Sequence, residues 1–170
     1  MERFQSAALV AATITMGIMT GVFHLYAYAI MPGLGKTDDR TFVGAFQSID
    51  RSIINPLFLA TFFGALVFTG LAAVFVLRGD GRSVLPWVVV ALVLYALVVV
   101  LTLGVNVPLN DQLKVAGDPD RIADLAAVRE RFDEAKWVRW NLVRTVASTI
   151  AFGCLTWALV LHGRVTQGGS

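Results

Sequence analysis

The sequence predicts an all-α integral membrane protein: a four-helix bundle with two amphipathic loop helices at one membrane end. Three observations carry this. The chain of 170 residues is 56% hydrophobic and only 15% charged, against roughly 45–50% and 25% in soluble domains. Four apolar runs are long enough to cross a bilayer, which takes about 20 residues. The two long connections are polar, yet they place apolar residues at helical spacing. The one cysteine, Cys154, allows no internal disulfide and no cysteine-based metal centre. A net charge of +2 is too small to point to a nucleic-acid partner.

The whole chain, 1–170, reads as a single transmembrane domain. Its first span covers about 7–31 and is closed by Pro32. Met1-Glu2-Arg3 and Ala27-Tyr28-Ala29 give this segment the outline of a signal peptide. Its apolar stretch exceeds the roughly 7–15 residues of such peptides and contains His24, so it is read as a retained helix. The second span covers about 53–77 and ends in the turn Arg78-Gly79-Asp80-Gly81-Arg82. The third covers about 84–105 and the fourth about 142–161, before a Gly-rich tail. In the first long loop, a helix over about 38–52 starts at a Thr37 or Asp38 cap. Phe42, Phe46, Ile49 and Ile53 share its apolar face. In the second long loop, Asp118-Pro119 starts a helix over about 119–138. Ile122, Leu125, Val128 and Phe132 form its stripe. No breaker stands before Gly153, so this helix is expected to run straight into the fourth span.

Four spans put both termini and the short turn on one side. That side carries Arg3, Arg78, Arg82 and Arg164 with Glu2 and Asp80, whereas the other carries ten basic and ten acidic residues. Counting Lys and Arg near the spans favours cytoplasmic long loops. Many of those charges belong to amphipathic helices, however, and the Arg-bearing short turn is the cleaner signal. The expected orientation has both termini cytoplasmic, in the cell (inner) membrane.

Polar residues beside or within the spans are the informative ones, because hydrocarbon tolerates them only when they face a bundle interior, a partner or a cavity. His24 and Tyr28 lie one helical turn apart. Gln47, Asp50 and Arg51 end the first loop helix, and Asn55-Pro56 starts the second span. Asn106-Val107-Pro108-Leu109-Asn110 closes the third. Trp137, Trp140, Asn141 and Arg144 share one helix face at i, i+3, i+4 and i+7. Because spans alternate direction, all these groups fall at one membrane end, where a bundle can gather them into a polar and aromatic pocket. Other readings stand beside this one. The tryptophans also read as an interface belt, and Arg144 as a snorkelling side chain. Asn106 to Asn110 reads as a capped helix stop, and His24 as a satisfied bundle residue.

No metal site is expected. The two histidines, His24 and His162, lie at opposite membrane ends, and no Glu-x-x-His pair occurs within a span. Neither a GxGxxG loop, a phosphate loop nor a GxSxG nucleophile elbow occurs.

The block Phe46-Gln-Ser-Ile-Asp-Arg-Ser-Ile-Ile-Asn-Pro-Leu-Phe58 resembles part of a family of small four-span membrane proteins, the anthrone oxygenase-like family. Asn106-Val-Pro-Leu-Asn110 and Trp137-Val-Arg-Trp140-Asn141-Leu-Val-Arg144 resemble its other blocks. The resemblance runs from about Gly17 to Leu161. Asp50 departs from it, standing where the family pattern carries Asn.

The resemblance implies an oxygenase acting on anthrone-like polycyclic aromatics without a cofactor, since a deprotonated anthrone reacts with dioxygen directly. It implies catalytic roles for His24 or Asp50 as general base and for Arg144 as oxyanion stabiliser. Tyr28, Gln47, Asn55, Asn106, Asn110, Trp137, Trp140 and Asn141 would bind substrate. The expected partners are the lipid bilayer, a hydrophobic aromatic substrate and dioxygen, with a homo-oligomer left open. Most bacterial members of the family have no assigned reaction. The alternatives are therefore a non-catalytic lipid or small-molecule binder, a subunit of a larger membrane complex, or a transporter.

Overall fold

The structure is a computed structural model that describes residues 2–79 and 82–168. Met1, Asp80 and Gly81 of the short turn, and Gly169 and Ser170 of the tail lie outside the described residues. Among those described, every regular element is helical. Four helices are long and apolar enough to span a membrane. The fold is therefore the predicted all-α bundle.

The spans are α1 (Glu2–Leu25), α4 (Pro56–Arg78), α5 (Leu85–Leu101) and α8 (Glu134–Gly168). Helix α1 packs on α4 and α8, and α5 packs on α8 and α4. The four thus form a closed square in which every neighbour is antiparallel. Their inner faces repeat at three- and four-residue intervals: Leu9, Ala12, Met16 and Met19 in α1, and Val88, Ala91, Tyr95 and Val98 in α5. Ala65, Ala72, Ala151 and Ala158 let the backbones approach closely. Polar groups in this core are bonded internally, as hydrocarbon requires. The buried Tyr95 hydroxyl donates to the Phe62 carbonyl at 3.0 Å, and Thr69 donates to the Ala65 carbonyl at 2.6 Å. The opposite faces expose Ile14, Ile18, Val67, Val93, Val100, Val146 and Ile150, a surface suited to lipid.

At one end the bundle carries a roof of short helices. Helix α1 continues through a π-helical turn (Tyr26–Ile30) into α2 (Met31–Leu34). Helix α5 likewise continues through a second π turn (Thr102–Asn106) into α6 (Val107–Val115). The sequence reading stopped these spans at Pro32 and at Asn106–Asn110, and the structure corrects both stops. A proline inside an α-helix loses one hydrogen bond and clashes with the carbonyl four residues back. In each case the wide turn directly precedes the proline. Its i+5 bonds, from Met31 N–H to the Tyr26 carbonyl and from Val107 N–H to the Thr102 carbonyl, reset the register ahead of Pro32 and Pro108.

Helix α3 (Asp39–Ile53) matches the first loop helix, with Asp38 as its N-cap. The Thr41 amide and hydroxyl donate to the Asp38 carboxylate at 2.9 and 2.8 Å and hold its pKa below the usual range. The second loop helix is not continuous over 119–138. Its segment divides into a 3-10 turn (Pro119–Arg121), an extended link, α7 (Leu125–Phe132) and the start of α8. Asp118 caps the 3-10 turn, and Asp124 caps α7 by accepting the Ala127 amide at 2.9 Å. Asp133 sits in the left-handed region (φ 53°), which aspartate tolerates better than most residues, and accepts the Lys136 amide at the start of α8. A straight helix would carry Val128 and Phe132 away from the bundle; the corner at Asp133 folds them onto it.

Phe42, Phe46, Phe132 and Trp137 form the aromatic centre of the roof. Arg129 ties its edges. Its guanidinium lies 4.1 Å from the Phe42 ring centroid and donates to the Thr37 and Gly35 carbonyls and to Asp39 and Glu134. Phe132 is wholly buried. Phe132→Ala is expected to destabilise the roof by about 3–5 kcal/mol, read as earlier protease cleavage within 36–55 while the bundle stays helical by circular dichroism.

Candidate active site

Directly under the roof, between α1, α3, α4, α6 and α8, lies a cavity of about 90 Å³. Apolar and aromatic side chains form most of its wall, with Phe23, Tyr26, Phe46, Phe58 and Trp137 prominent. Asp50, Thr102, Asn106, Asn110 and Arg144 supply its polar groups.

Two hydrogen-bonded networks hold those groups. In the first, the Trp137 indole N–H donates to Asn110 Oδ1 at 2.7 Å, and Asn110 Nδ2 donates to Asp50 Oδ1 at 2.8 Å. Lys114 Nζ lies 3.0 Å from Asp50 Oδ2, an ion pair whose geometry leaves that oxygen without a hydrogen bond. Asp50 itself is buried, whereas Lys114 is half-exposed and reaches on to Asp111. The carboxylate is therefore held by α6 at both oxygens, through Asn110 at one and Lys114 at the other.

The second network centres on Arg144. Its guanidinium donates to Thr102 Oγ1 at 3.1 Å and to Asn141 Oδ1 at 2.9 Å. Asn141 in turn donates to the Phe23 carbonyl at 3.2 Å. The Phe23 and Trp137 ring centroids lie 4.9 and 5.5 Å from the guanidinium carbon, an arrangement that attracts a cation. Arg144 is only 5% exposed. Among the described residues no carboxylate pairs with it. A buried unpaired guanidinium is costly, and inside a membrane protein such a charge marks a functional site.

Among the described residues, three buried side-chain atoms lack a hydrogen-bond partner: Asp50 Oδ2, Asn106 Oδ1 and Arg144 Nε. All three residues line this one cavity. Buried polar atoms are otherwise satisfied almost everywhere in folded proteins. An amide oxygen and a cationic N–H without hydrogen-bond partners, and a carboxylate held by Lys114, thus belong to residues that line a common, mostly apolar space. Asp50 is balanced by Lys114 and Arg144 by no carboxylate among the described residues, so the cavity favours an occupant that carries or develops negative charge.

The structure gathers Asp50, Asn106, Asn110, Trp137 and Arg144 as the sequence suggested, and Asn141 stands behind Arg144 as its acceptor. It places the others elsewhere. His24 and Tyr28 lie on the opposite face of α1, in an open groove against α8, with His24 Nδ1 at 3.0 Å from the Thr20 carbonyl. Gln47 is buried but spans α3 to α6 by donating to the Leu113 and Gly117 carbonyls. The second of these acceptors sits at a positive φ (85°) that only glycine adopts freely. Asn55 is the exposed N-cap of α4, and Trp140 is half-buried outside the cavity lining. Sequence reading missed Phe23, Tyr26, Phe46, Thr102 and Lys114. Helical spacing does pair Phe23 with Tyr26, but nothing in the sequence distinguishes their face from that of His24 and Tyr28. Among the described residues no three His, Cys, Asp or Glu side chains are grouped to hold a metal ion.

No curated protein and no solved structure matches the chain. A sequence model of the anthrone oxygenase family matches residues 57–154, more than half of it. That segment contains Thr102, Asn106, Asn110, Trp137, Asn141 and Arg144, while Asp50 and Tyr26 lie before it. With the match covering more than half of the chain and most of the cavity's polar wall, this chain belongs to the anthrone oxygenase family.

Proposed function

We propose that this protein is a membrane-embedded oxygenase that converts anthrone-like polycyclic aromatics to quinones with dioxygen. The convergence of the buried Asp50, Asn106 and Arg144 on one aromatic-walled cavity, with Asn106 Oδ1 and Arg144 Nε left without partners among the described residues, is the observation that carries this reading. An anthrone is flat, apolar and weakly acidic at the methylene carbon opposite its carbonyl. Stacking on Trp137 and Phe23 suits its rings.

Asp50, rather than His24, is the base in this proposal, because Asp50 lines the cavity and His24 does not. It takes a methylene proton, and the electron pair left behind delocalises onto the substrate's carbonyl oxygen. Arg144 stabilises that oxyanion from a fixed, buried position, where such interactions are strong. The anion passes one electron to dioxygen, and the resulting radical pair combines to form a carbon–oxygen bond. Asp50 returns its proton to give the hydroperoxide. Loss of the remaining methylene proton with cleavage of the O–O bond forms the second carbonyl and releases water. Anthrone plus dioxygen becomes quinone plus water, with no further reductant.

Detergent-purified protein supplied with a panel of anthrones and hydroxyarenes, with and without chelator, is expected to consume one dioxygen per quinone formed. Absence of turnover across the panel would move the chain to the binding or subunit reading. We also propose residence in the cell (inner) membrane with both termini cytoplasmic. A C-terminal reporter active on one side only is expected to signal from the cytoplasm.

A further inference from the structure

We propose that apolar aromatic ligands reach the cavity sideways from the bilayer, through the seam between α1 and α3, with Tyr26 as the movable wall. This rests on reading the cavity as the site where such molecules are transformed.

The cavity is partly open, where the exposed Ile54 lines it, and is too small as it stands. An apolar cavity of about 150 Å³ accepts a single benzene ring, whereas this one measures about 90 Å³. Three fused rings require a wall to move outward. The roof is an unsuitable wall, because its four aromatic rings interlock and Arg129 clamps its edges. The bundle interior below is closed by buried side chains such as Met19 and Tyr95.

The seam between α1 and α3 is different. An open groove of about 370 Å³ runs along its outer side. Val22, Tyr26 and Ile53 line both the groove and the cavity, so a single layer of side chains separates them. Helix α3 takes its packing from α2, α6 and α7 rather than from α1. Tyr26 opens the π turn of the first span, a local widening that recurs at functional sites. Its ring is held by a tilted contact with Trp137 at 5.5 Å, and its hydroxyl makes no hydrogen bond among the described residues. Rotation of Tyr26 therefore breaks no hydrogen bond and joins the two hollows. The far side of the groove consists of half-buried and exposed apolar residues together with Ser48 and Ser52, and it sits at the level where spans meet roof. At that level a planar hydrocarbon dissolved in the bilayer would meet this groove from the lipid side.

The test is the rate at which 9-bromoanthracene in phosphatidylcholine vesicles quenches Trp137, read by stopped flow. The protein is the full chain with Trp87, Trp140 and Trp157 replaced by Phe. Ser48→Phe with Ser52→Phe fills the groove without touching the cavity lining, and is expected to slow association at least tenfold while the final quenching is unchanged. Tyr26→Ala is expected to speed both association and release several-fold, a change that misfolding would not produce. Val146→Phe, on the lipid face of α8 in the other groove, is expected to leave the rate unaltered. Unchanged association in the filled-groove variant, equal slowing by Val146→Phe, or failure of the probe to quench Trp137 would each overturn the seam. If the probe enters as expected but no anthrone is oxidised, the seam stands and the oxygenase reading falls. Oxidation with an unaffected filled-groove rate gives the reverse.

Discussion

Arg144→Met is expected to lower kcat for anthrone oxidation about a hundred- to a thousandfold, the usual cost of losing one preorganised oxyanion donor. KM should change little, because the substrate's neutral carbonyl gains less from the guanidinium than the developing anion does. The same substitution is expected to leave the thermal midpoint in detergent equal to or above wild type. Arg144 is buried with no counter-ion among the described residues, and relief of such desolvation is worth several kcal/mol. Against this, Asn141 Oδ1 loses its donor, a cost of about 1–3 kcal/mol. Arg144→Lys should fall between, since a single ammonium cannot serve Thr102, Asn141 and the cavity in the fixed fork that arginine provides. A fully active Arg144→Met would show that charge at this position stabilises nothing in the reaction.

Asp50→Asn is the second large effect, with kcat expected to fall about a hundred- to ten-thousandfold. Asn keeps an acceptor for Asn110, and Lys114, half-exposed and already beside Asp111, can turn to solvent, so the fold should survive. Substrate deuterated at the methylene carbon should show a primary isotope effect in the wild type, because proton removal precedes attack on dioxygen. His24→Ala should cost far less, as His24 faces the other side of α1. If Asp50→Asn retained full turnover, the base would have to be another group, and the carboxylate would be left as an anchor for Lys114.

Much of the architecture could be read before any coordinate. The four spans, their alternation and the Asp38-capped α3 follow from run length, periodicity and capping chemistry, all of which are local. So does the collection of Asn106, Asn110, Trp137, Asn141 and Arg144 at one membrane end, since alternation alone brings the ends together. The face of each helix was harder to assign. His24 and Tyr28 are as well spaced as Phe23 and Tyr26, and in a span apolar on all sides no hydrophobic stripe shows which pair points inward.

The breaks in the chain were also out of reach. Pro32 and Pro108 read as stops because proline is incompatible with a plain α-helix; the preceding π turns remove the conflict, and no residue pattern announces them. Asp133 reads as an ordinary helix residue until Phe132 must be buried against Phe46 and Trp137, which forces the corner. Amino-acid order by itself determined that this chain lives in a bilayer, crosses it four times and concentrates its polar chemistry at one end. Those properties depend on transfer free energies and helical spacing summed along short stretches. Tertiary packing alone decided which carboxylate lines the cavity, that Arg144 has no counter-ion among the described residues, and that Tyr26 stands between the cavity and the outer groove. Each of those depends on distances between residues far apart in the chain, and these are set only when the roof closes over the bundle.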